Sequence, residues 1–268
     1  MIYNAKNGNL KIRNTDMDYI SFGRGKKILI MIPGLGDGLM TVRGKALPLA
    51  FAYRMFAKDF TVYMFSRVNE LEEGCTCRDM AHDLKVAMDA LGIEKANILG
   101  VSQGGMIAEA LAIDYPQKVE RLILTVTIGR QNDYIQSVVH SWIALARQNK
   151  FGEVMKDVTA RMYTEEYVHK YRFVLPVLGL YPPPKNPTRF IRMATACIIH
   201  DMYDELEKIS AQTLVIGGGK DRTVGPDAAG ELADKIRGSK LLIYPEYGHG
   251  LYDQAKDFKQ KVYEYFMS

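Results

Sequence analysis

The feature that most restricts this chain is a repeated alternation of short apolar runs with stretches at helical spacing. "KKILIMIPGLGDG" is a continuous apolar run closed by Pro33 and a cluster of glycines, the pattern of a strand buried on both faces. A helical pattern follows over "ALPLAFAYRMFAKD", then a strand, "FTVYMFSR". "RDMAHDLKVAMDALG" sets Met80, Leu84, Ala87, Met88 and Leu91 on one helical face, with Gly92 as its stop. Strand "KANILGV", helix "MIAEALAIDYP" and strand "RLILTVTIG" continue the series. Two earlier strands, "GNLKI" and "DYISFG", precede it, with Gly23 and Gly25 turning the chain. Strands alternating with helices predict a mostly parallel central sheet with helices on both faces, an α/β fold.

The alternation breaks at Arg130. From there to Ser210 the pattern is mostly helical, interrupted by "YPPPKNP", and it then resumes with "TLVIGGGKD", "AAGELADKIRG", "KLLIYPEYG" and "AKDFKQKVYEYF". A helical insertion between two strands of one parallel sheet reads as a cap over the strand ends. The expected division is therefore a core of residues 1–129 and 211–268 with a helical cap of 130–210.

Composition removes several functions. With 35 basic and 31 acidic residues spread along the chain, the net charge of +4 belongs to a mixed solvated surface, and no nucleic-acid partner is expected. Cys75 and Cys77 lie near His82, yet no second ligand pair appears at matching spacing, so no metal site is expected. Three cysteines do not make a disulfide framework, and "MIYNAKNGNLKIRN" has no signal-peptide core. The apolar run Ile28 to Ile32 is too short to span a bilayer. A cytoplasmic protein without membrane attachment is expected, and the oligomeric state is left open. Phosphate cradles fail on spacing. "GLGDGLM" lacks the last glycine of G-x-G-x-x-G because Leu39 stands there, and "GGGKDR" has Leu214 and Asp221 where a P-loop needs glycine and a hydroxyl.

In an open parallel sheet, ligands bind beyond the carboxyl ends of the strands. Ser102 in "GVSQG" follows one such strand, Asp221 follows "TLVIGGG", and His249 follows "KLLIYPEYG". Small residues around Ser102 fit a strained strand-to-helix turn that presents its hydroxyl. A serine hydroxyl needs a base to become a nucleophile, and an imidazole base needs a carboxylate to fix its tautomer. Asp133 is a rival carboxylate; chain order and the "GGGKD" strand end favour Asp221. Asp227 reads as a helix cap.

With this order of Ser, Asp and His, the chain resembles the α/β-hydrolase family, closest to its esterase and enol-lactonase-like members with a helical cap. The resemblance implies Ser102 as nucleophile, His249 as general base and acid, and Asp221 as the orienting carboxylate. It also implies an oxyanion hole from the backbone N–H groups of Leu35 and Gln103. Pro33 departs from the histidine that many relatives carry before that loop's first glycine, and "SRVNELEEGCTCRD" departs from their glycine-rich segment. The expectation is a serine hydrolase that needs no cofactor and uses water to cleave a small or medium, partly apolar carboxylic ester. A lactone, thioester, amide or carbon–carbon bond shares the same triad. The rival class is a receptor that keeps the fold and senses a ligand. Among the many aromatics and methionines of the insertion, Trp142, Met162 and Met193, with His200, are the expected pocket residues.

Overall fold

The structure is a computed structural model that describes residues 2–170 and 183–268. Eight strands form one sheet: β1 (Lys6–Ile12), β2 (Thr15–Gly23), β3 (Lys27–Ile32), β4 (Phe60–Val68), β5 (Ala96–Val101), β6 (Val119–Thr125), β7 (Gln212–Gly218) and β8 (Lys240–Tyr244). Their order is β1-β2-β4-β3-β5-β6-β7-β8. β2 pairs antiparallel with both β1 and β4, and every pairing from β4 to β8 is parallel. The reversal between β2 and β3 turns at Gly23, whose φ of 88° belongs to the left-handed region that glycine enters without strain. β3 and β5 lie side by side at the centre, so the loops after them meet at one edge.

Among the described residues the α-helices are α1 (Ala46–Ala52), α2 (Cys77–Ala90), α3 (Gln103–Asp114), α4 (Asp133–Arg147), α5 (Phe151–Met162), α6 (Glu165–Lys170), α7 (Pro187–Ile198), α8 (Ala228–Lys235), α9 (Leu251–Gln254) and α10 (Phe258–Met267). α2, α3 and α8 cover one face of the sheet through Met80, Leu84, Met106, Leu111 and Leu232. α1 and α10 cover the other through Ala46, Ala50, Phe258, Val262 and Phe266. α2 begins with a capping box: the Thr76 side chain accepts from the Asp79 N–H while the Asp79 carboxylate accepts from the Thr76 N–H. Gly92 ends the turn after α2 with a φ of 67°.

The long helix expected over "ALPLAFAYRMFAKD" is shorter than its pattern. α1 stops at Ala52, and a 3-10 turn at Arg54–Phe56 swings Phe56 into an aromatic cluster with Phe60 and Tyr263. Burying that ring outweighs continuing the helix.

Between β6 and β7 the described chain is helical, from α4 through α7. Val126, with a positive φ of 45°, turns the chain out of the sheet after β6. α4 and α7 pack together, and Trp142, Phe151, Phe190 and Met193 belong to the same buried cluster as Leu35, Phe65 and Met106. The insertion is thus welded to one face of the sheet and shares its core. Tyr171 and Phe173, which the sequence also marks as apolar surface of the insertion, lie outside the described residues.

Candidate active site

Ser102 stands between β5 and α3 with φ 54° and ψ −123°, a conformation that costs an L-residue on the order of 1–3 kcal/mol. Its neighbours make the turn feasible. A Cβ on Gly100 would lie 2.5 Å from the Gly104 carbonyl oxygen, and one on Gly104 would lie 2.0 Å from that of Ile32. Only glycine allows α3 to start this close to β3 and β5. The Ser102 N–H donates to the Thr125 carbonyl at 2.9 Å, which ties the turn to β6.

His249 comes from the loop after β8 and is buried. Its Nε2 lies 3.0 Å from Ser102 Oγ, and its Nδ1 lies 2.8 Å from Asp221 Oδ2. The Asp221 carboxylate is also buried, and its Oδ1 accepts from the N–H groups of Thr223 and Val224 at 2.8 and 3.0 Å. The carboxylate is therefore fixed by its own loop while the other oxygen holds the imidazole. Asp133 sits exposed in the first turn of α4 and makes no contact with His249. Asp227 occupies the N-cap position of α8 without a side-chain cap bond.

Two backbone N–H groups border the serine. Gln103 opens α3 and Leu35 opens a 3-10 turn, so neither amide has a carbonyl partner within its own helix. The loop reaches the serine because position 34 is glycine: a Cβ there would stand 3.2 Å from the Ser102 Cβ. Arg67 on β4 holds both segments. Its Nη2 donates to the Pro33 carbonyl at 2.5 Å and to Gln103 Oε1 at 3.2 Å. Gln103 Nε2 donates in turn to the Met193 carbonyl at 2.6 Å and to Cys197 Sγ at 3.1 Å.

A second buried cation secures the same loop from above. Arg189 on α7 donates through Nη2 to Asp37 Oδ2 at 2.6 Å, through Nη1 to the Asp37 carbonyl, and to the carbonyls of Arg67 and Val68. Asp37 Oδ2 also accepts from the Arg67 N–H at 2.9 Å. No pattern in the sequence pairs residues 37 and 189, and this clamp is found only in three dimensions.

The serine opens onto a cavity of about 530 Å³. Its described walls are largely apolar: Met31 from β3, Met64 from β4, Leu99 and Val101 from β5, and Leu49 from α1. Met155, Val158 and Met162 add one face of α5, their spacing matching successive helical turns. Trp142 also lines it, its indole N–H donating to Asp157 Oδ2 at 2.7 Å. Trp142 and Met162, two of the expected pocket residues, both border this cavity.

Two expected pocket residues do not. Met193, on α7, is fully buried and contributes to the site only its carbonyl, to Gln103. His200 points the other way, into the core, where its Nε2 meets Glu109 Oε2 at 3.0 Å with both side chains buried. Helical spacing does not tell the cavity side of α7 from its core side, because both are apolar. Lys45, Tyr53 and Tyr252, which the sequence reading passed over, do line the cavity. The four-residue spacing of Lys45, Leu49 and Tyr53, from the N-cap to the C-cap of α1, is the signal that marks Lys45 and Tyr53; Tyr252, on α9, has no such signal.

Among the described residues no cluster of His, Cys, Asp or Glu could hold a metal, and no helix is long and apolar enough to cross a membrane. Cys77 and Cys197 are free and buried, and burial raises the Cys197 thiol to about 12.

Comparison with known proteins agrees with this architecture. A Klebsiella pneumoniae subsp. pneumoniae 2-hydroxy-6-oxononadienedioate/2-hydroxy-6-oxononatrienedioate hydrolase is 26% identical over 252 residues, 90% of this chain and 87% of that one. A Caulobacter sp. (strain K31) protein named as a carbamate hydrolase, RutD, is 26% identical over 188 residues. That match spans just under two thirds of each chain, 65% of this one and 66% of the other. The crystal structure of an enol-lactonase from Burkholderia xenovorans LB400 superposes with a TM-score of 0.83 at 22% identity, covering 97% of this chain and 100% of that one. Residues 27–256 match the family described as the alpha/beta hydrolase fold, and the chain belongs to that family.

Proposed function

We propose that this protein is a serine hydrolase that cleaves a small-to-medium carboxylic ester through an acyl-enzyme intermediate. The observation that carries the reading is the continuous chain Ser102 Oγ, His249 and Asp221, with links of 3.0 and 2.8 Å, at the floor of an apolar cavity. His249 Nε2 takes the Ser102 proton as Oγ attacks the acyl carbon, and Asp221 stabilises the imidazolium that forms. The tetrahedral oxyanion accepts from the N–H groups of Leu35 and Gln103, where loss of one such donor typically costs about 2.7–4 kcal/mol. The imidazolium then protonates the leaving alcohol. Water activated by His249 attacks the acyl carbon, releases the acid and restores Ser102. No step draws on a cofactor or metal. The helices α4 to α7 act as a cap that walls the substrate side and supplies no reacting group.

The names of the relatives extend the bonds worth assaying to lactones, carbamates and carbon–carbon bonds, which use the same nucleophile and oxyanion stabilisation. The rival reading, a ligand receptor without turnover, shares the cavity and separates from hydrolysis by kinetics. The test is reaction with a fluorophosphonate probe, followed by location of the adduct by peptide mass spectrometry, alongside multiple turnover of p-nitrophenyl esters. A single adduct on Ser102 together with turnover supports the proposal. Binding without either result favours the receptor.

A further inference from the structure

Leu49 on α1 and the two residues that cap this helix, Lys45 and Tyr53, form one wall of the cavity, four residues apart and therefore on one side. At 1.5 Å per residue that face runs about 12 Å, with a cation at one end and a phenol at the other. Lys45 is the only Lys or Arg among the described residues of the lining. Its ammonium makes no ion pair or hydrogen bond with any described residue, whereas Lys85, Lys95, Lys118 and Lys235 all pair with carboxylates. The nearest acidic influence is Asp37, whose Oδ2 is taken by Arg189 and by the Arg67 N–H and whose Oδ1 is buried without a hydrogen-bond partner and makes no ion pair with Lys45. Partial burial lowers the Lys45 ammonium from its ordinary value, since an ammonium withdrawn from water with no partner is disfavoured. At the other end, the hydroxyls of Tyr53 and Tyr252 also lack a partner among the described residues. A cavity this apolar carries few polar groups, and those it carries fix ligand orientation.

We propose that Lys45 binds an anionic group on the substrate, a carboxylate remote from the scissile carbonyl, so that the preferred substrate is the half-ester of a dicarboxylic acid or an equivalent acidic ester or lactone. Given hydrolysis at Ser102, the ammonium supplies a charge-assisted hydrogen bond that neutral esters cannot accept. The apolar wall of Leu49, Met64 and Leu99 carries the chain between the two ends.

The test has two parts. In the first, kcat and KM are measured for p-nitrophenyl half-esters of glutaric and adipic acid against neutral esters of the same length. Wild type is expected to show the lower KM for the half-esters. Lys45→Met is expected to raise that KM and cut the half-ester to neutral-ester ratio of kcat/KM at least about tenfold. Lys45→Arg is expected to keep most of the ratio, and added salt to shrink it. The second part uses the Ser102→Ala protein, which needs no turnover. Adipate is titrated while the fluorescence of Trp142, the single tryptophan and a cavity residue, is followed. Saturable binding that weakens at least about tenfold with Lys45→Met is expected, and adipamide should not compete.

Equal loss for neutral and acidic esters would overturn the proposal, because Lys45 would then serve the loop through Asp37. So would binding of adipate that ignores Lys45. Adipate binding through Lys45 in a protein that turns over no ester would leave the anion site standing and remove the hydrolase reading. Turnover of neutral esters without any preference for half-esters would do the reverse.

Discussion

At the scale of single residues, the site depends on conformations that few residue types tolerate. Ser102 keeps a positive φ only because Gly100 and Gly104 let three backbone segments meet, and the sequence "GVSQGG" discloses this directly. The imidazole has one carboxylate within reach, Asp221, held in turn by the amides of Thr223 and Val224. Asp221→Asn is therefore expected to lower kcat by roughly 10⁴-fold, since an amide favours the wrong tautomer of His249. Asp133→Asn is expected to leave kcat within about twofold. Steady-state kinetics on one p-nitrophenyl ester compares the two, and a larger loss at position 133 would contradict the geometry. Chain order was enough to choose between these acids, because the choice depends on strand ends that the sequence marks.

At the scale of elements, the sheet and its helices were legible from periodicity, while the attachment of α7 was not. α7 reads as an amphipathic helix, and its pattern says nothing of which strand its polar residues meet. Arg189 passes through the apolar layer to Asp37, and a buried pair of this kind leaves no periodic trace. The same blindness explains Met193 and His200. Both lie at or just beyond a helix whose apolar face meets the cavity along one part and Gln103 and Glu109 along another. Removing one partner of a buried ion pair leaves the other charge uncompensated, which costs about 3–5 kcal/mol. Arg189→Met is expected to lose about that much in urea unfolding, and to slow ester turnover because Asp37 and the Leu35 turn lose their anchor. Unchanged stability would mean that Asp37 finds another partner. Double replacement by Arg189→Met and Asp37→Leu is expected to recover part of the loss.

At the scale of the whole molecule, one buried carboxylate ties stability to pH. Glu109 lies in the middle of α3, fully buried, its Oε1 without a partner and its Oε2 against His200. Loss of solvation raises its carboxyl above the ordinary value, and the hydrogen bond from His200 offsets only part of this. A raised folded-state pKa contributes stability that is complete below the unfolded value and is lost as pH rises through the folded one. Glu109→Gln cannot ionise there. The thermal midpoint of the variant relative to wild type is therefore expected to improve as pH rises from about 5 to 8, and a difference independent of pH would contradict the assignment. The parallel sheet, the insertion after β6 and the meeting of Ser102, Asp221 and His249 were all legible, because each rests on local patterns and on the geometry of strand ends. The cavity shape and the place of Lys45 in its wall were not, since they depend on how α1, α5 and α7 close over those ends. The central claim is that Ser102 is the nucleophile of a hydrolase, and the most direct measurement is kcat for one p-nitrophenyl ester in wild type and Ser102→Ala, both shown to be folded by circular dichroism. The expected result is multiple turnover in the wild type and a loss of at least about 10³-fold in the variant, with a small residual rate from the backbone donors. A folded Ser102→Ala protein that turned over the ester near the wild-type rate would contradict the account.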